Sequence, residues 1–320
     1  MDETRKSLST AQIEDGVDSR AITEAFSESL PLTGNIEPNL ECAIRHVLDN
    51  PGSLVRPRMV YQVATAYGLS DSSARDLSIA LEYFHTASIL FDDLPCMDNG
   101  LERRGAPCTH VVFGESGTIL TALSLINRAY GLTWRAIADS ARDRQAEARM
   151  YLEQCLGVQG LLNGQSLDLN YSELPHTLAT TERIARGKTV SMIRLTLVLP
   201  AMLGDSTVRD LQLLERIALF WGLGYQIVDD LKDVLQGPAE TGKTAARDVL
   251  LNRPNIAAAI GVPDAAKRLE RFIALGDRTL QILLRSRPSM NFLNLLRHDL
   301  DAELKRVTQR AMDVSEGSLL

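Results

Sequence analysis

Residues 72–98 read SSARDLSIALEYFHTASILFDDLPCMD. Over residues 72–91, apolar side chains recur three and four positions apart, which is the spacing of one face of an α-helix. The same spacing continues along most of the chain from about Glu37, whereas alternating runs of β-branched residues are scarce. The sequence therefore predicts an all-α fold.

Gly, Pro, Asn and Asp residues interrupt the helical spacing and mark the ends of the predicted helices. These helices cover residues 37–49, 56–68, 72–91, 115–138, 144–169, 178–203, 208–236, 254–260, 263–285 and 291–312. Residues 1–35 are polar and lack the spacing, which predicts a flexible lead-in. We interpret residues 36–320 as one domain.

Composition and charge exclude several classes of function. The chain has 320 residues, of which 45% are hydrophobic, and a net charge of −7, which argues against a nucleic-acid partner. Its apolar stretches are interrupted before the roughly 18–20 residues that a membrane span needs, and no signal peptide is recognisable. The four cysteines lack CxxC spacing, so neither a zinc site nor a disulfide is predicted. We expect a cytoplasmic protein without a membrane span.

A cluster of carboxylates follows the helix predicted over residues 72–91. Asp92, Asp93 and Asp98 lie within seven residues. Pro95 lacks the amide proton that would bond the Phe91 carbonyl, so the helix should stop there and the chain can bring Asp98 back toward Asp92. Clustered carboxylates repel one another unless a cation lies between them, and hard oxygen ligands select Mg²⁺. The stretch predicts a magnesium site.

A second cluster lies in the helix predicted over residues 208–236. Asp229 and Asp233 are four positions apart and share a helical face with Gln226. Like charges at this spacing destabilise an isolated helix, which again implies a cation. Taken alone, this pair is equally consistent with a surface patch, but two such clusters in one helical chain favour a metal site.

Basic residues with hydroxyl neighbours accompany both clusters. Arg103 and Arg104 follow the first cluster and are suited to charge-assisted hydrogen bonds with phosphate. Lys188 precedes Thr189 at the start of an apolar helix. Lys243 lies in residues 237–244, which match the nucleotide-binding pattern G-x-x-x-x-G-K-T. A helix rather than a strand is predicted before that loop, so we interpret the match as chance.

With both aspartate clusters in place, the chain from about Ala43 to Asn255 resembles the trans-isoprenyl diphosphate synthase (polyprenyl synthetase) family. The resemblance implies a helical bundle around a deep central cavity, usually in a homodimer. It also implies three Mg²⁺ ions on an allylic diphosphate, and isopentenyl diphosphate as the second substrate.

The resemblance assigns roles residue by residue. The implied metal ligands are Asp92, Asp98, Asp229 and Asp233. The residues implied to hold the allylic diphosphate are Arg103, Lys188, Thr189, Gln226 and Lys243, with Lys188, Thr189 and Gln226 acting in catalysis. The residues implied for isopentenyl diphosphate are Arg56, His85 and Arg104.

The resemblance also bears on product length. Ala87 and Ser88 lie about one turn before Asp92, where bulky aromatic residues in the family stop growth near fifteen carbons. Two small residues favour geranylgeranyl diphosphate (C20) or a slightly longer product. The two extra residues of the first motif, Pro95 and Cys96, resemble those of the bacterial and plant C20 type.

Departures from the family pattern keep two alternatives open. Ser53 stands where the family usually has a lysine that grips isopentenyl diphosphate, a contact whose loss costs about ten- to a hundredfold in affinity. Residues 121–123, Thr-Ala-Leu, replace a family motif, and residues 248–255 match another motif only in part. The chain is therefore open to interpretation as a terpene synthase-like enzyme that ionises a prenyl diphosphate without condensation. The other alternative is a weakly active regulatory subunit of a synthase.

Overall fold

The computed structural model describes residues 19–235 and 253–294. In this part of the chain the fold is all-α, as predicted, apart from one short hairpin. The match to a nucleotide-binding loop at 237–244, including Lys243, lies outside the described residues. So does most of the helix predicted over 291–312.

The described helices keep the order of the predicted ones. They are α1 Ser19–Glu28, α2 Pro38–Leu48, α3 Val55–Ala66, α4 Asp71–Asp92, α5 Thr109–Ala138, α6 Arg142–Leu156, α7 Leu161–Leu169, α8 Leu178–Ala185, α9 Ser191–Leu203, α10 Val208–Leu235, α11 Ile256–Ile260 and α12 Val262–Ser286. A π-helical turn, Arg186–Val190, joins α8 to α9, and 3₁₀ turns cover Tyr171–Glu173 and Pro288–Asn291. The hairpin pairs β1 Glu102–Arg103 with β2 Ala106–Pro107 in antiparallel register.

The prediction of a flexible lead-in is wrong for residues 19–28, which form α1. Ile22 and Phe26 lie four positions apart and are both buried. The hydroxyl of Tyr83 on α4 donates to the Phe26 carbonyl, and the two rings meet edge to face. Burial of these two apolar side chains stabilises a short helix that lacks a sustained apolar pattern.

The helix predicted over residues 144–169 is two helices, α6 and α7. The break comes at Gly160, where a Cβ atom would lie 2.2 Å from the Cys155 carbonyl oxygen. Only glycine fits this close backbone approach. The helix predicted over 178–203 is likewise divided by the π-helical turn, which carries Lys188 and Thr189.

The described residues form two compact units. We name residues 19–149 and 200–205 the N-terminal unit, in which α4 packs against α3 and α5. We name residues 150–199, 206–235 and 253–294 the C-terminal unit, in which α10 packs against α12 and the π-helical turn. Each unit contains one of the two predicted aspartate clusters. The single domain over residues 36–320 stays a prediction.

One face of α5 is apolar and exposed. After Gly114, the exposed apolar side chains of α5 are Ile119, Leu120, Leu123, Tyr130 and Trp134. They recur at helical spacing beside the buried face that packs on α4, and the Tyr130 ring meets Phe84 of α4 edge to face. Within the described part of the chain, α5 is also the one helix that is long and apolar enough to cross a membrane, by length and composition alone. Of its most apolar stretch, 33% is buried.

Candidate active site

The first aspartate cluster lies at the C-terminal end of α4, where the chain reverses. The helix ends at Asp92, and Asp93 forms its C-cap. The Asp98 amide then donates to the Asp92 carbonyl at 2.9 Å, and the Asn99 amide donates to the Leu94 carbonyl at 3.0 Å. These bonds confirm the predicted turn that returns Asp98 to Asp92.

Asp93, which the sequence analysis left without a role, holds Arg103 in place. The Asp93 side chain is only 5% exposed and accepts hydrogen bonds from Arg103 Nε at 3.0 Å and Nη2 at 2.6 Å. A Cβ atom at Gly100 would lie 2.6 Å from Asp93 Oδ1, so glycine lets the loop close over this carboxylate. Asp93 therefore orients a guanidinium that was predicted to bind phosphate. The signal in the sequence was the second aspartate of Asp92-Asp93.

The hairpin turn places Arg104 against the loop before α3 (residues 50–54). Arg104 and Gly105 both have positive φ, as the two central residues of a type I′ turn require. Arg104 Nη1 donates to the Asn50 carbonyl at 3.3 Å. Its guanidinium lies on Gly52, where a Cβ atom would come within 2.6 Å of Arg104 Cζ.

Glu82 is a buried carboxylate beside Arg56, one of the residues predicted to bind isopentenyl diphosphate. It is 2% exposed, and its Oε2 lies 3.4 Å from Arg56 Nη1. Burial raises the pKa of Glu82, and the charges of Arg56 and Arg104 partly offset that rise. Burial also lowers the pKa of His85 well below its usual range, and the charges of Arg56, Arg104 and Arg103 lower it further. His85 is therefore neutral at physiological pH, and the positive charge here comes from arginine.

In the C-terminal unit, the two adjacent aspartates of α10 have different surroundings. Asp229 is exposed, whereas Asp230 is 1% exposed. Asp230 Oδ1 accepts from Gln226 Nε2 at 2.8 Å, and its Oδ2 accepts from the Ile256 amide at 2.6 Å. Asp229 is free of this structural role and can act as a ligand, while Asp230 joins α10 to the start of α11. Asp233 lies one turn further on, half-buried.

A chain of hydrogen bonds fixes the amide of Gln226. Thr189 Oγ1 donates to Gln226 Oε1 at 2.6 Å, and Gln226 Nε2 continues to Asp230. Because the amide is bonded at both ends, its oxygen is directed at Thr189. Thr189 and Gln226 were each predicted to act in catalysis, and the structure places them in contact. Their buried partner Asp230 was not predicted.

Lys188 pairs with Asp168, a residue that was not predicted to belong to the site. Its Nζ lies 2.9 Å from Asp168 Oδ2, and the Asp168 side chain is only 9% exposed. Close backbone packing makes the contact possible, since a Cβ atom at Gly164 would lie 2.5 Å from the Lys188 amide nitrogen. Asp168 lies one turn after Gly164 on α7. Lys188 lies in a π-helical turn. Such turns are rare in proteins, and those that occur are often found at functional sites.

The donor chemistry of both clusters fits magnesium. Among the described residues, no three His, Cys, Asp or Glu side chains gather into a closed metal site. Mg²⁺ is usually bound by one or two carboxylates, with water and substrate phosphates completing its octahedron. The pairs Asp92 with Asp98 and Asp229 with Asp233 match that incomplete kind of ligand set.

The remaining predicted site residues lie on α4. Ala87 is fully buried, and Ser88 is half-buried with its hydroxyl donating to the His85 carbonyl at 2.8 Å. The structure therefore brings Arg56, Arg104 and Glu82 together, and separately Thr189, Gln226 and Asp230. It leaves the role of Ala87 and Ser88 in product length a prediction.

This chain is similar in sequence to the proteins of one known family. Residues 37–280 match the family described as polyprenyl synthetase. The chain is 34% identical over 270 residues to a geranylgeranyl diphosphate synthase of Pseudescherichia vulneris, covering 82% of this chain and 83% of that one. It is also 34% identical over 236 residues to a putative chloroplastic geranylgeranyl pyrophosphate synthase 8 of Arabidopsis thaliana, covering 72% of this chain. The chain spans 65% of the length of that plant relative.

A solved structure shares the fold. It is a geranyltransferase of Helicobacter pylori complexed with magnesium and isoprenyl diphosphate, with a TM-score of 0.73 and 22% sequence identity. The likeness covers 95% of this chain and 98% of that one. It supports the all-α architecture predicted from the helical spacing.

Proposed function

Because this chain belongs to the polyprenyl synthetase family, we infer that it is a trans-prenyltransferase that joins an allylic diphosphate to isopentenyl diphosphate. The observation that carries this function is the reversal of the first motif, which returns Asp98 to Asp92 beside the paired Arg103. The product is a longer trans-polyprenyl diphosphate. Magnesium dependence is part of the proposal, with three ions on the allylic substrate.

Ionisation of the allylic diphosphate needs stabilisation of the departing diphosphate. Magnesium held by Asp92, Asp98, Asp229 and Asp233 would neutralise charge as it develops on those oxygens. Lys188, Arg103 and Lys243 donate charge-assisted hydrogen bonds to the diphosphate. Within the C-terminal unit Asp168 orients Lys188, and within the N-terminal unit Asp93 orients Arg103.

Condensation then needs a cation that persists until it is attacked. The Thr189 hydroxyl donates a hydrogen bond to Gln226 Oε1, so the lone pairs of the hydroxyl oxygen remain available to stabilise positive charge. Arg56, Arg104 and His85 hold isopentenyl diphosphate, whose double bond attacks the allylic cation. A carbon–carbon bond forms, a proton is lost to the released diphosphate, and the new allylic diphosphate can react again.

Product length follows from the residues on α4 before Asp92. Ala87 and Ser88 are small, which favours geranylgeranyl diphosphate or a slightly longer product. The bacterial relative is named a geranylgeranyl diphosphate synthase, which supports this length.

A second copy of this chain is the partner we propose for the exposed face of α5. Its apolar side chains follow helical spacing, which suits packing against another helix, and a large exposed apolar patch marks an interaction site. Leu120→Glu and Leu123→Glu should convert a dimer to a monomer in analytical ultracentrifugation. Flotation of the wild-type chain with lipid vesicles would instead assign the face to a membrane. We also propose a cytoplasmic location. The plant relatives include proteins named as chloroplastic and mitochondrial, so the family alone does not fix the compartment.

The decisive experiment is a product assay with purified protein and Mg²⁺. Allylic diphosphates of five, ten, fifteen and twenty carbons are supplied with and without isopentenyl diphosphate. Longer diphosphates that form only with isopentenyl diphosphate are the expected result. Hydrocarbons or alcohols formed without it would establish the terpene synthase alternative, prompted by Ser53. Activity found only when a second synthase is added would establish a regulatory subunit.

A further inference from the structure

The loop before α3 (residues 50–54) lacks the lysine expected in this family. Two arginine side chains nevertheless donate hydrogen bonds to its backbone carbonyl oxygens. Arg104 bonds the Asn50 carbonyl from one side. Arg58 Nη2 donates to the Ser53 carbonyl at 2.8 Å. Helical side chains tilt toward the N-terminus of their own helix, so Arg58 in the first turn of α3 reaches back to this loop.

The N-terminus of α3 also has free amide donors. Its N-cap, Leu54, has φ of 49° and provides no side-chain hydrogen bond. The Val55 and Arg56 amides are too early in the helix to bond within it. They have no acceptor among the residues that the structure describes. The first turn of α3 therefore presents unsatisfied donors at the positive end of a helix dipole.

Arg58 supplies a second and independent indication of a ligand. It is only 8% exposed, and its Nε has no hydrogen-bond partner in the described part of the chain. A buried donor without an acceptor is unfavourable, and a buried guanidinium requires compensating charge. Glu82 lies 3.4 Å from Arg56 and is the one carboxylate paired with the arginines of this region in the described structure. The region around the loop therefore has an excess of positive charge.

We propose that the first turn of α3 and the buried guanidinium of Arg58 together bind phosphate oxygens of isopentenyl diphosphate, in place of the lysine that Ser53 replaces. This inference rests on the proposed function, because it concerns the second substrate of that reaction. It adds Arg58 and two backbone amides to the binding residues. The bound phosphate supplies the acceptor that Arg58 Nε lacks.

The proposal explains how the loss of the lysine is tolerated. A guanidinium is always charged and presents several donors in a fixed plane, so it can bond the Ser53 carbonyl and a phosphate oxygen at once. Arg58 thereby fixes the loop and contributes charge. Ser53 is exposed and keeps only a neutral hydroxyl at the position of the missing cation.

The test measures binding without turnover. Isopentenyl diphosphate is titrated into the metal-free full chain by calorimetry, for the wild type, Arg58→Met and Arg58→Lys. Loss of a charge-assisted contact predicts that Arg58→Met raises Kd about ten- to a hundredfold, with Arg58→Lys between the two. Ser53→Lys introduced into Arg58→Met should recover most of the affinity. Arg135→Met is the matched control, because Arg135 pairs with Asp76 in the same unit.

The outcomes separate this inference from the proposed function. Wild-type Kd in Arg58→Met would overturn the role of Arg58 while leaving the synthase intact. An equal loss of affinity for the allylic diphosphate, measured with Mg²⁺, would show a general structural effect and would also overturn it. If Arg58→Met does not fold, unchanged affinity in Arg58→Lys is decisive against the proposal. Failure of the wild type to bind isopentenyl diphosphate at all would remove the proposed function itself.

Discussion

The amide of Asp98 donates a hydrogen bond to the carbonyl oxygen of Asp92 at 2.9 Å. On a continuous helix, six residues would separate the two by about 9 Å along the axis and turn them about 240° apart. The reversal after α4 removes that separation, because Pro95 cannot continue the helical bonding. Asp98 in the turn is thereby returned to Asp92 at the end of α4.

Removal of either carboxylate should stop turnover. Asp92→Ala and Asp98→Ala each delete a proposed magnesium ligand, and we expect kcat to fall by at least about 100-fold. The free energy of unfolding should change by less than about 0.5 kcal/mol, because both side chains are partly exposed. Steady-state assays and urea titrations measure the two quantities. Asp264→Ala, on the exposed surface of α12, is the control; near-wild-type kcat in both motif variants would contradict the metal assignment.

Adjacent aspartates of the second motif should have opposite effects. Asp229 is exposed, so Asp229→Ala should abolish activity and leave stability nearly unchanged. Asp230 accepts from the buried Ile256 amide, so Asp230→Ala should lower the free energy of unfolding by about 1–3 kcal/mol. Urea unfolding followed by circular dichroism distinguishes the two. The prediction fails if Asp229→Ala is the less stable variant.

The contrast between Asp229 and Asp230 shows what the sequence could and could not predict. Helical spacing located most helices and placed Asp229, Asp233 and Gln226 on one face, because such spacing is a local property. The partner of Asp230 lies 26 residues further on, across a tertiary contact that no local pattern encodes. The same limit explains why Asp168 was missed.

Close backbone packing between neighbouring turns could not be predicted from the sequence either. The break between α6 and α7 depends on Gly160, whose Cβ would meet a carbonyl oxygen of the preceding turn. Isolated glycines occur in many helices, so no local pattern divides residues 144–169. In α1, burial of Ile22 and Phe26 outweighs a polar local composition.

Gly164 should be needed for the position of Lys188. A Cβ atom there would lie 2.5 Å from the Lys188 amide, and both contacting groups are backbone that cannot move aside easily. We expect Gly164→Ala to cost about 1–3 kcal/mol of unfolding free energy and to raise KM for the allylic diphosphate. Gly131→Ala is the matched control, since open space surrounds Gly131 and alanine favours helix by about 0.5–1 kcal/mol. Equal stability of the two variants would refute the close approach.

Cys96 offers a test of the first motif that needs no substitution. It is exposed within the turn between Asp92 and Asp98, so iodoacetamide should alkylate it readily. An allylic diphosphate with Mg²⁺ should slow that reaction, while the exposed Cys42 on α2 should react equally in both conditions. Burial raises the pKa of the Cys155 thiol to about 11, so Cys155 should remain unmodified at pH 8. Peptide mass spectrometry measures each site; no protection of Cys96 would place the substrate elsewhere.

Product length should respond to the α4 residues one turn before Asp92. Ser88 is half-buried, so Ser88→Phe can add a ring without filling a closed core, whereas Ala87 is fully buried and Ala87→Phe carries a packing cost of about 1–3 kcal/mol. If these side chains line the space into which the product grows, Ser88→Phe should shift the main product from about C20 toward C15, with ionisation unaffected. Ser88→Thr, which keeps a hydroxyl and adds one methyl group, is the control. Chromatography of dephosphorylated products measures the shift, and an unchanged length in Ser88→Phe would mean that other helices limit growth.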